Sequence, residues 1–277
     1  MNGNVCVIHS PQRRERKGEL FMIKAVFFDI GGTIHTQRAT PECDRAYAEE
    51  LWSCLRDHGI QTEQSPALLL PHIDAGAKAY KHFCEEKLIE LPQDRIWQEF
   101  MLKDYDVAPD QLCGLGEQLC YMFDRRRKHI EQRPGLQEML EGLRQRGLRM
   151  GVISNIMSLT FVPRILEEYG IGQYFETLVL SSVCGIRKPR AEIFEIALKE
   201  TGLDRHEVCY VGDTISRDVR GVRNARWPLM IQIDNPLTYH KDEKYRGMGF
   251  EPDVRIRELS ELIPAIEGFN HKLEEGA

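Results

Sequence analysis

The sequence predicts an α/β protein with a doubly wound parallel sheet and an inserted all-helical domain. Short β-branched and aromatic runs alternate with amphipathic helical stretches over the second half of the chain, as in parallel sheets with helical crossovers. The first such run, at 24–28, ends in Asp29 followed by Gly31 and Gly32, which is typical of a buried central strand with a ligand site at its carboxyl end. Between these two regions the strand pattern is replaced by helical periodicity.

The elements of the sheet domain follow one another with short connections. We expect strands at 24–28, 148–154, 177–181, 208–212 and 229–233, and helices at 136–146, 159–169, 191–201, 218–225 and 259–267. Gly147, Gly170 and Gly202 each follow a predicted helix, where glycine is the favoured residue for ending it. This alternation predicts one sheet domain that the helical insertion interrupts.

The insertion is predicted to contain four helices, at 43–58, 66–88, 95–105 and 110–128, with Gly59 and Pro92 as breaks. We place the domain boundaries at 1–21 for an N-terminal extension, 22–35 and 130–277 for the sheet domain, and 36–129 for the insertion. The insertion contains polar residues that either line a substrate pocket or lie on solvated helix faces: His72, Lys78, Tyr80, Lys81 and His82. The basic run at 125–129 either attracts an anionic substrate or complements the dipole at a helix end.

The first 21 residues differ from the rest of the chain. They contain one short apolar patch and a polar, basic run at 12–17, too little apolar length to pack or to form a signal peptide. We expect this extension to be disordered, and we hypothesise that Met22, directly before the first strand, is the true initiator.

Composition narrows the class of protein. A chain of 277 residues with 42% hydrophobic and 29% charged residues can bury the cores of two domains. Its net charge of −6 argues against a partner bound through the phosphate backbone of a nucleic acid. No apolar run is long enough to span a membrane, and the eight cysteines lack metal-ligand spacing. A cytoplasmic protein with reduced thiols and no membrane or nucleic-acid partner is the expectation; the sequence does not indicate the oligomeric state.

Polar residues follow four of the predicted elements in a specific order. Asp29 ends the first strand, Ser154 the second, Lys188 precedes a helix, and Asp213 and Asp218 follow the fourth strand. Taken singly, each has an ordinary interpretation: the aspartates cap helices and the lysine lies on the surface. Taken in order, they resemble the four motifs of the haloacid dehalogenase-like (HAD) hydrolase superfamily, from about residue 23 to the C-terminus. The helical insertion resembles the C1 cap of that superfamily.

The resemblance implies a phosphatase that acts through an aspartyl-phosphate. Asp29 is the implied nucleophile, a known role for carboxylates. Phosphoryl oxygens are expected to bind the side chains of Ser154 and Lys188, together with Asn155 and the backbone of Ile30 and Gly31.

The implied cofactor is Mg²⁺, which prefers hard oxygen ligands. Its expected ligands are Asp29, the carbonyl of Gly31, and Asp213, with Asp218 as a further ligand or as support. The expected substrate is a small phosphorylated metabolite.

Gly31 departs from the family pattern, because phosphatases of the family carry a second aspartate there as general acid and base. Without it, protonation of the leaving group is expected to slow by about 10²–10⁴. Substrates with good leaving groups, such as acyl or phenolic phosphates, need little protonation. Alternatively, a cap residue or His35 supplies the proton; the other interpretation of His35 is an exposed residue after the first strand.

Three other functions remain open at this stage. Phosphonatase-like members also lack the second aspartate and use a cap lysine; the candidates are Lys78, Lys81, Lys87 and Lys103. Dehalogenase-like members lack it and need no metal, but a carboxylate pair beside the nucleophile then has no cation to offset it. The last alternative is a nearly inactive member that binds a phosphorylated ligand and regulates a partner.

Overall fold

A computed structural model describes residues 22–245 and 247–275. Residues 1–21 lie outside the described part of the chain, so the predictions that they are disordered and that Met22 is the initiator stay predictions. The sheet domain contains six parallel strands in the order β5-β4-β1-β6-β7-β8. The strands of this sheet are β1 Ala25–Phe28, β4 Arg149–Ser154, β5 Thr177–Leu180, β6 Val208–Gly212, β7 Leu229–Ile233 and β8 Val254–Ile256. The predicted α/β class with a parallel sheet is confirmed, although β8, which carries only three residues, was not predicted.

Strand β1 lies at the centre of the sheet, and its side chains pack on both faces. Val26 and Phe28 belong to one apolar core, whereas Ala25 and Phe27 belong to another, as the two-residue period of a strand requires. Helices on both sides provide the facing residues. The helices of the sheet domain are α6 Leu136–Gln145, α7 Phe161–Glu168, α8 Ser181–Cys184, α9 Ala191–Thr201, α10 Arg220–Ala225, α11 Tyr239–Asp242 and α12 Leu262–Glu275.

The insertion is helical and leaves the sheet domain through a two-stranded antiparallel ribbon. The ribbon pairs β2 His35–Arg38 with β3 His129–Gln132. The helices between them are α1 Pro41–Asp57, α2 Pro66–Lys87, α3 Gln93–Ile96, α4 Pro109–Leu112 and α5 Gly116–Arg126. They enclose an apolar core of their own around the fully buried Trp97. Below we call this insertion the cap.

Two of the predicted cap helices differ from the observed ones. The single helix predicted at 110–128 is two helices, α4 and α5, because Gly114 adopts a φ of +76°, which a helix cannot contain. The helix predicted at 95–105 continues from α3 as a π-helical turn at Trp97–Met101 and ends there. The ribbon β2–β3 was not predicted, since each strand has four largely polar residues.

Two exclusions made from composition can be compared with the structure. Among the described residues, no helix combines the length and the apolarity that crossing a membrane requires. The seven cysteines within the described part of the chain are free thiols.

A short backbone pairing joins the cap to the sheet domain. The amide of Glu90 donates to the carbonyl of Gly185 (3.0 Å), and the amide of Arg187 donates to the carbonyl of Leu88 (3.2 Å). The carboxylate of Glu90 is fully buried and forms an ion pair with Arg187. It also accepts hydrogen bonds from Ser181 Oγ (2.6 Å) and from the hydroxyl of Tyr80. This buried network, which we call the cap brace, holds the end of α2 against the segment after α8.

Arg187→Met tests the cap brace. The substitution leaves the buried Glu90 carboxylate without its counter-charge, so we expect the free energy of unfolding to fall by about 3–5 kcal/mol in urea titrations. Glu90→Gln combined with Arg187→Met removes the buried charge as well and is expected to recover part of the loss.

Arg205→Met is the matched control, because its partner Glu195 lies 3.5 Å away at the surface. We expect that variant to lose no more than about 1 kcal/mol. Equal losses in the two arginine variants would contradict a stabilising role of the cap brace.

Candidate active site

Adjacent parallel strands bring three of the predicted site residues to one edge of the sheet. Strand β1 lies between β4 and β6, with Phe28 opposite both Val152 and Val211. Asp29, Ser154 and Asp213 therefore stand side by side where these strands end. All three are buried, with at most 5% of their surface exposed.

The aspartates form a compact buried cluster. One carboxylate oxygen from each of Asp29, Asp213 and Asp218 lies within 4.8 Å of the others. Three negative charges this close are unfavourable in a low-dielectric interior unless cations offset them. The structure provides such a cation in Lys188.

The Lys188 ammonium is buried within the carboxylate cluster. Its Nζ lies 3.0 Å from Asp29 Oδ1 and 2.7 Å from Asp218 Oδ1, and it donates a hydrogen bond to the hydroxyl of Tyr210 at 2.6 Å. The side chain is 1% exposed, so the alternative interpretation of Lys188 as a surface lysine is wrong. Lysine carries three donors and no acceptor, and this environment uses all three.

Both carboxylate oxygens of Asp218 have partners. Oδ1 accepts from Lys188, and Oδ2 accepts from the amide (3.0 Å) and the hydroxyl (2.6 Å) of Thr214. Burial raises the pKa of the Asp218 carboxyl, but Lys188 and Arg217 outweigh burial and hold it below its usual value. Of the two roles that the sequence left open for Asp218, this geometry favours the supporting one.

Asp213 differs from Asp218 in having a free oxygen. Its Oδ2 accepts a hydrogen bond from Asn235 Nδ2 at 2.8 Å, whereas its Oδ1 is buried and has no hydrogen-bond partner among the described residues. Burial, and then repulsion from Asp218, raise the pKa of the Asp213 carboxyl. A buried, unpaired carboxylate oxygen facing other carboxylates fits a hard divalent cation such as Mg²⁺.

Gly32 allows the chain to pass close to this cluster. Its φ is +94°, and a Cβ at this position would lie 2.0 Å from Asp213 Oδ2. Any other residue would therefore displace the Asp213 carboxylate.

Ser154 and Asn155 occupy different positions relative to the nucleophile. Ser154 Oγ donates to Asp29 Oδ1 at 3.1 Å. The Asn155 amide instead bonds the backbone of Lys188, donating to its carbonyl at 3.0 Å and accepting from its N–H at 2.9 Å. In this arrangement the Asn155 side chain positions Lys188, and its predicted contact with a phosphoryl oxygen stays a prediction, as do those of Ile30 and Gly31.

A side chain from β2 fills the space beside Gly31. A Cβ at position 31 would lie 3.1 Å from Gln37 Nε2. The same amide contacts His35 Nε2 at 2.9 Å, and Gln37 Oε1 accepts from Lys128 Nζ at 3.3 Å. The space that the acid of the family pattern would occupy is thus filled by the neutral amide of Gln37, which contacts the Lys128 ammonium.

The expectation that His35 is an exposed residue is wrong. The residue is fully buried rather than exposed, and its ring lies between Gln37 and Tyr169. Burial, followed by the charges of Lys128 and Arg125, lowers the pKa of His35 to about 3. The imidazole is therefore neutral near pH 7, which disfavours it as the proton donor, and that role stays a prediction.

A cavity of about 500 Å³ lies between the cap and the sheet domain and reaches Asn155 and Lys188. Of the cap residues singled out in the sequence, Lys78, Tyr80 and Lys81 line it, whereas His72 and His82 do not. From the basic run, Arg127 and Lys128 line the cavity. Arg125 and Arg126 form ion pairs with Glu168 and Glu50 outside it, and Lys87 and Lys103 do not line it either.

Sequence reasoning missed several residues of the site. Arg217 lies between two predicted site aspartates, and Asn235 follows the strand next to β6, so their positions carried a signal that was not used. The sequence gives no signal for Gln37 or Glu90. Gln37 reaches the site through the ribbon and Glu90 through the cap brace, and both of these depend on tertiary contacts.

Comparison with known proteins agrees with this architecture. The family model of haloacid dehalogenase-like hydrolases matches residues 23–226. Glyceraldehyde 3-phosphate phosphatase of Methanopyrus kandleri is 23% identical over 88% of this chain and 97% of its own. Among solved structures, a HAD phosphatase from Thermococcus onnurineus has a TM-score of 0.55 (22% identity, 89% of this chain and 99% of that chain). A 2-haloacid dehalogenase from Pseudomonas syringae has a TM-score of 0.61 (22% identity, 90% and 99%). The chain therefore belongs to the family of haloacid dehalogenase-like hydrolases.

Proposed function

We propose that this protein is a Mg²⁺-dependent phosphatase that hydrolyses a small phosphorylated metabolite through an aspartyl-phosphate at Asp29. The observation that carries the proposal is the unpaired, buried Oδ1 of Asp213, whose carboxylate clusters with Asp29, while Lys188 and Ser154 contact Asp29 Oδ1. This combination suits a phosphoryl group held between a divalent cation and an ammonium. The Methanopyrus relative, a glyceraldehyde 3-phosphate phosphatase, supports the same reaction class.

In the proposed first step, an oxygen of Asp29 attacks phosphorus and the bond to the leaving oxygen breaks. Lys188 and Ser154 each contact Asp29 Oδ1, so both lie where they can bind the phosphoryl oxygens and orient the carboxylate. Asp29, the Gly31 carbonyl and Asp213 would hold Mg²⁺, which would supply positive charge to the phosphoryl oxygens. Asp218 keeps the Lys188 ammonium in position.

In the proposed second step, water attacks phosphorus and releases phosphate, restoring Asp29. Gly31 provides no general base for that water and no acid for the leaving group. We therefore expect activity to depend on the leaving group, high for activated esters and low for alkyl phosphates.

A phosphonatase is the second candidate, because Lys78 and Lys81 line the cavity. Lys81 lies 3.8 Å from Glu85, whereas Lys78 has no carboxylate partner among the described residues. Lys78 is thus the better candidate for a Schiff base. Release of phosphate from a phosphonoaldehyde that Lys78→Met abolishes would support the phosphonatase. A metal-free dehalogenase, the other alternative, would release halide from a 2-haloacid in the presence of chelator.

The deciding experiment is turnover of p-nitrophenyl phosphate with and without Mg²⁺, followed by a screen of phosphorylated metabolites, phosphonates and haloacids. Mg²⁺-dependent release of phosphate supports the proposal. Binding of phosphorylated compounds without turnover of any of them would support the regulatory alternative.

Asp29→Asn is expected to abolish turnover while the protein stays folded, because the amide is nearly isosteric but is a poor nucleophile. Steady-state assays and thermal melting of freshly prepared protein provide the two measurements. Parent-like turnover, with deamidation to aspartate excluded by mass spectrometry, would refute the aspartyl-phosphate.

Asp213→Asn is expected to remove the response to Mg²⁺, because it deletes a negative charge at the proposed metal site and keeps the shape of the side chain. Mg²⁺ should raise the melting temperature and the activity of the parent, but neither in this variant. Asp106→Ala, an exposed carboxylate on the cap, is the control and should respond like the parent. An equal thermal shift in Asp213→Asn would place the metal elsewhere.

Gly31→Asp is expected to raise activity on alkyl phosphates by up to about 10²–10⁴ and to flatten the dependence of rate on leaving-group pKa. Because Gln37 occupies the neighbouring space, we expect a larger gain when Gln37→Ser is combined with it. Gln37→Ser alone is the control and should bring no gain. A shallow leaving-group dependence in the parent would show that another group already donates the proton.

A further inference from the structure

The cavity wall carries far more positive charge than a single phosphate requires. Ten of the residues that line it are lysine or arginine, and three are aspartate or glutamate. This local excess contrasts with the net charge of −6 for the whole chain. A cation-rich cleft of this kind attracts and concentrates anions.

Several of these cations lie outside any salt bridge between the residues that the structure describes. Lys78, Lys128, Lys241 and Lys244 form no ion pair with any carboxylate in the described part of the chain. They differ in this from Lys188 and Arg187, which neutralise Asp29 and Glu90. Positive charge on the cavity wall therefore remains available to bind an anionic ligand.

Three of the cations on the cavity wall come from different elements of the fold. Lys128 follows α5, Arg217 lies in the turn after β6, and Lys241 belongs to α11. Burial, followed by repulsion from Arg217, outweighs attraction by Asp213 and lowers the pKa of Lys241 to about 8, whereas Lys128 is exposed to solvent. An anion bound among these side chains would relieve their repulsion.

Lys128 also lies next to the position of the missing acid. Its Nζ is 3.3 Å from Gln37 Oε1, and the amide of that residue fills the space beside Gly31. The leaving group of a bound substrate is expected on this side, because the family pattern carries its proton donor there. The protein thus presents a positive charge, rather than a carboxylic acid, to the departing oxygen.

We propose that the substrate is a phosphoanhydride, whose leaving group is itself a phosphate that the cations Lys128, Arg217 and Lys241 bind. This inference rests on the proposed phosphatase function and specifies its substrate class. A phosphate leaving group explains the missing acid at Gly31, because it departs without a proton. It also explains the positive charge of the cavity wall, because it brings negative charge to these cations. The last ionisation of a phosphate monoester, which is the leaving group when ADP is the substrate, has a pKa near 6, whereas the pKa of water, comparable to an alcohol, is about 15.7.

The bond changes balance without a further reactant. An Asp29 oxygen bonds to the terminal phosphorus, and the bond from that phosphorus to the bridging oxygen breaks. The bridging oxygen keeps the electron pair and leaves as part of a phosphate anion. Water then attacks the aspartyl-phosphate, releasing inorganic phosphate, the free Asp29 carboxylate and one proton to solvent.

The test compares inorganic pyrophosphate and ADP with glycerol 3-phosphate and p-nitrophenyl phosphate, all with Mg²⁺. We expect kcat/KM for at least one anhydride to exceed that for glycerol 3-phosphate by about 10² or more. Preference for pyrophosphate or for ADP would distinguish a small inorganic substrate from a nucleotide.

Lys128→Met is expected to lower kcat/KM for the preferred anhydride by about tenfold or more, equivalent to about 1.4 kcal/mol, and to lower that for p-nitrophenyl phosphate clearly less, because p-nitrophenolate leaves with a single negative charge whereas a phosphate carries more. Lys128→Arg keeps the charge and should restore most of the loss. Lys103→Met removes a cap lysine outside the cavity and should match the parent with both substrates. Lys241→Met provides a second, independent variant with the expected behaviour of Lys128→Met.

Two failures can be told apart. If p-nitrophenyl phosphate is hydrolysed and glycerol 3-phosphate is as good a substrate as both anhydrides, the inference is wrong while the phosphatase function stands. If neither the aryl phosphate nor an anhydride is hydrolysed with Mg²⁺, the proposed function is wrong and the inference falls with it. Equal losses for both substrates in Lys128→Met would also overturn the inference, since they would show a general effect on the site.

Discussion

The buried ammonium of Lys188 is the contact on which the site depends. Asp29, Asp213 and Asp218 gather at one sheet edge, and their mutual repulsion in a dry interior would open that edge without a nearby cation. Lys188 touches two of the three carboxylates, and the Asn155 side chain holds its backbone on both sides. The Lys188 ammonium thereby connects the loop after α8, which carries it, to the end of β1 and to the turn after β6.

The cap brace extends this arrangement into the cap. Glu90 binds Arg187, the residue directly before Lys188, so the position of the cap and the position of the central cation are mechanically linked. A displacement of the cap that breaks the brace also exposes a buried carboxylate, which is costly. The cap brace therefore holds the cap side of the cavity in a fixed position relative to Asp29.

The replacement of an acid by Gly31 alters the electrostatics on the leaving-group side. Gln37, a neutral amide, fills the space, and Lys128 adds positive charge beyond it. A carboxylic acid stabilises a departing alkoxide by giving it a proton, whereas an ammonium stabilises an anion that needs none. In the proposed reaction, the missing acid at Gly31 and the positive charge of the cavity wall both favour a leaving group that departs as an anion.

Sequence alone determined the α/β class, the parallel sheet and the gathering of Asp29, Ser154 and Asp213, because parallel strands share a direction and their carboxyl ends meet at one edge. Local pattern also located the helical cap. Only the tertiary structure decided that His35 is buried and neutral, and that Gln37 fills the space beside Gly31, because both outcomes depend on side chains distant in sequence. The distribution of cations in the cavity was likewise undetermined, since a lysine on a helix looks the same in sequence whether it meets a carboxylate, solvent or a ligand.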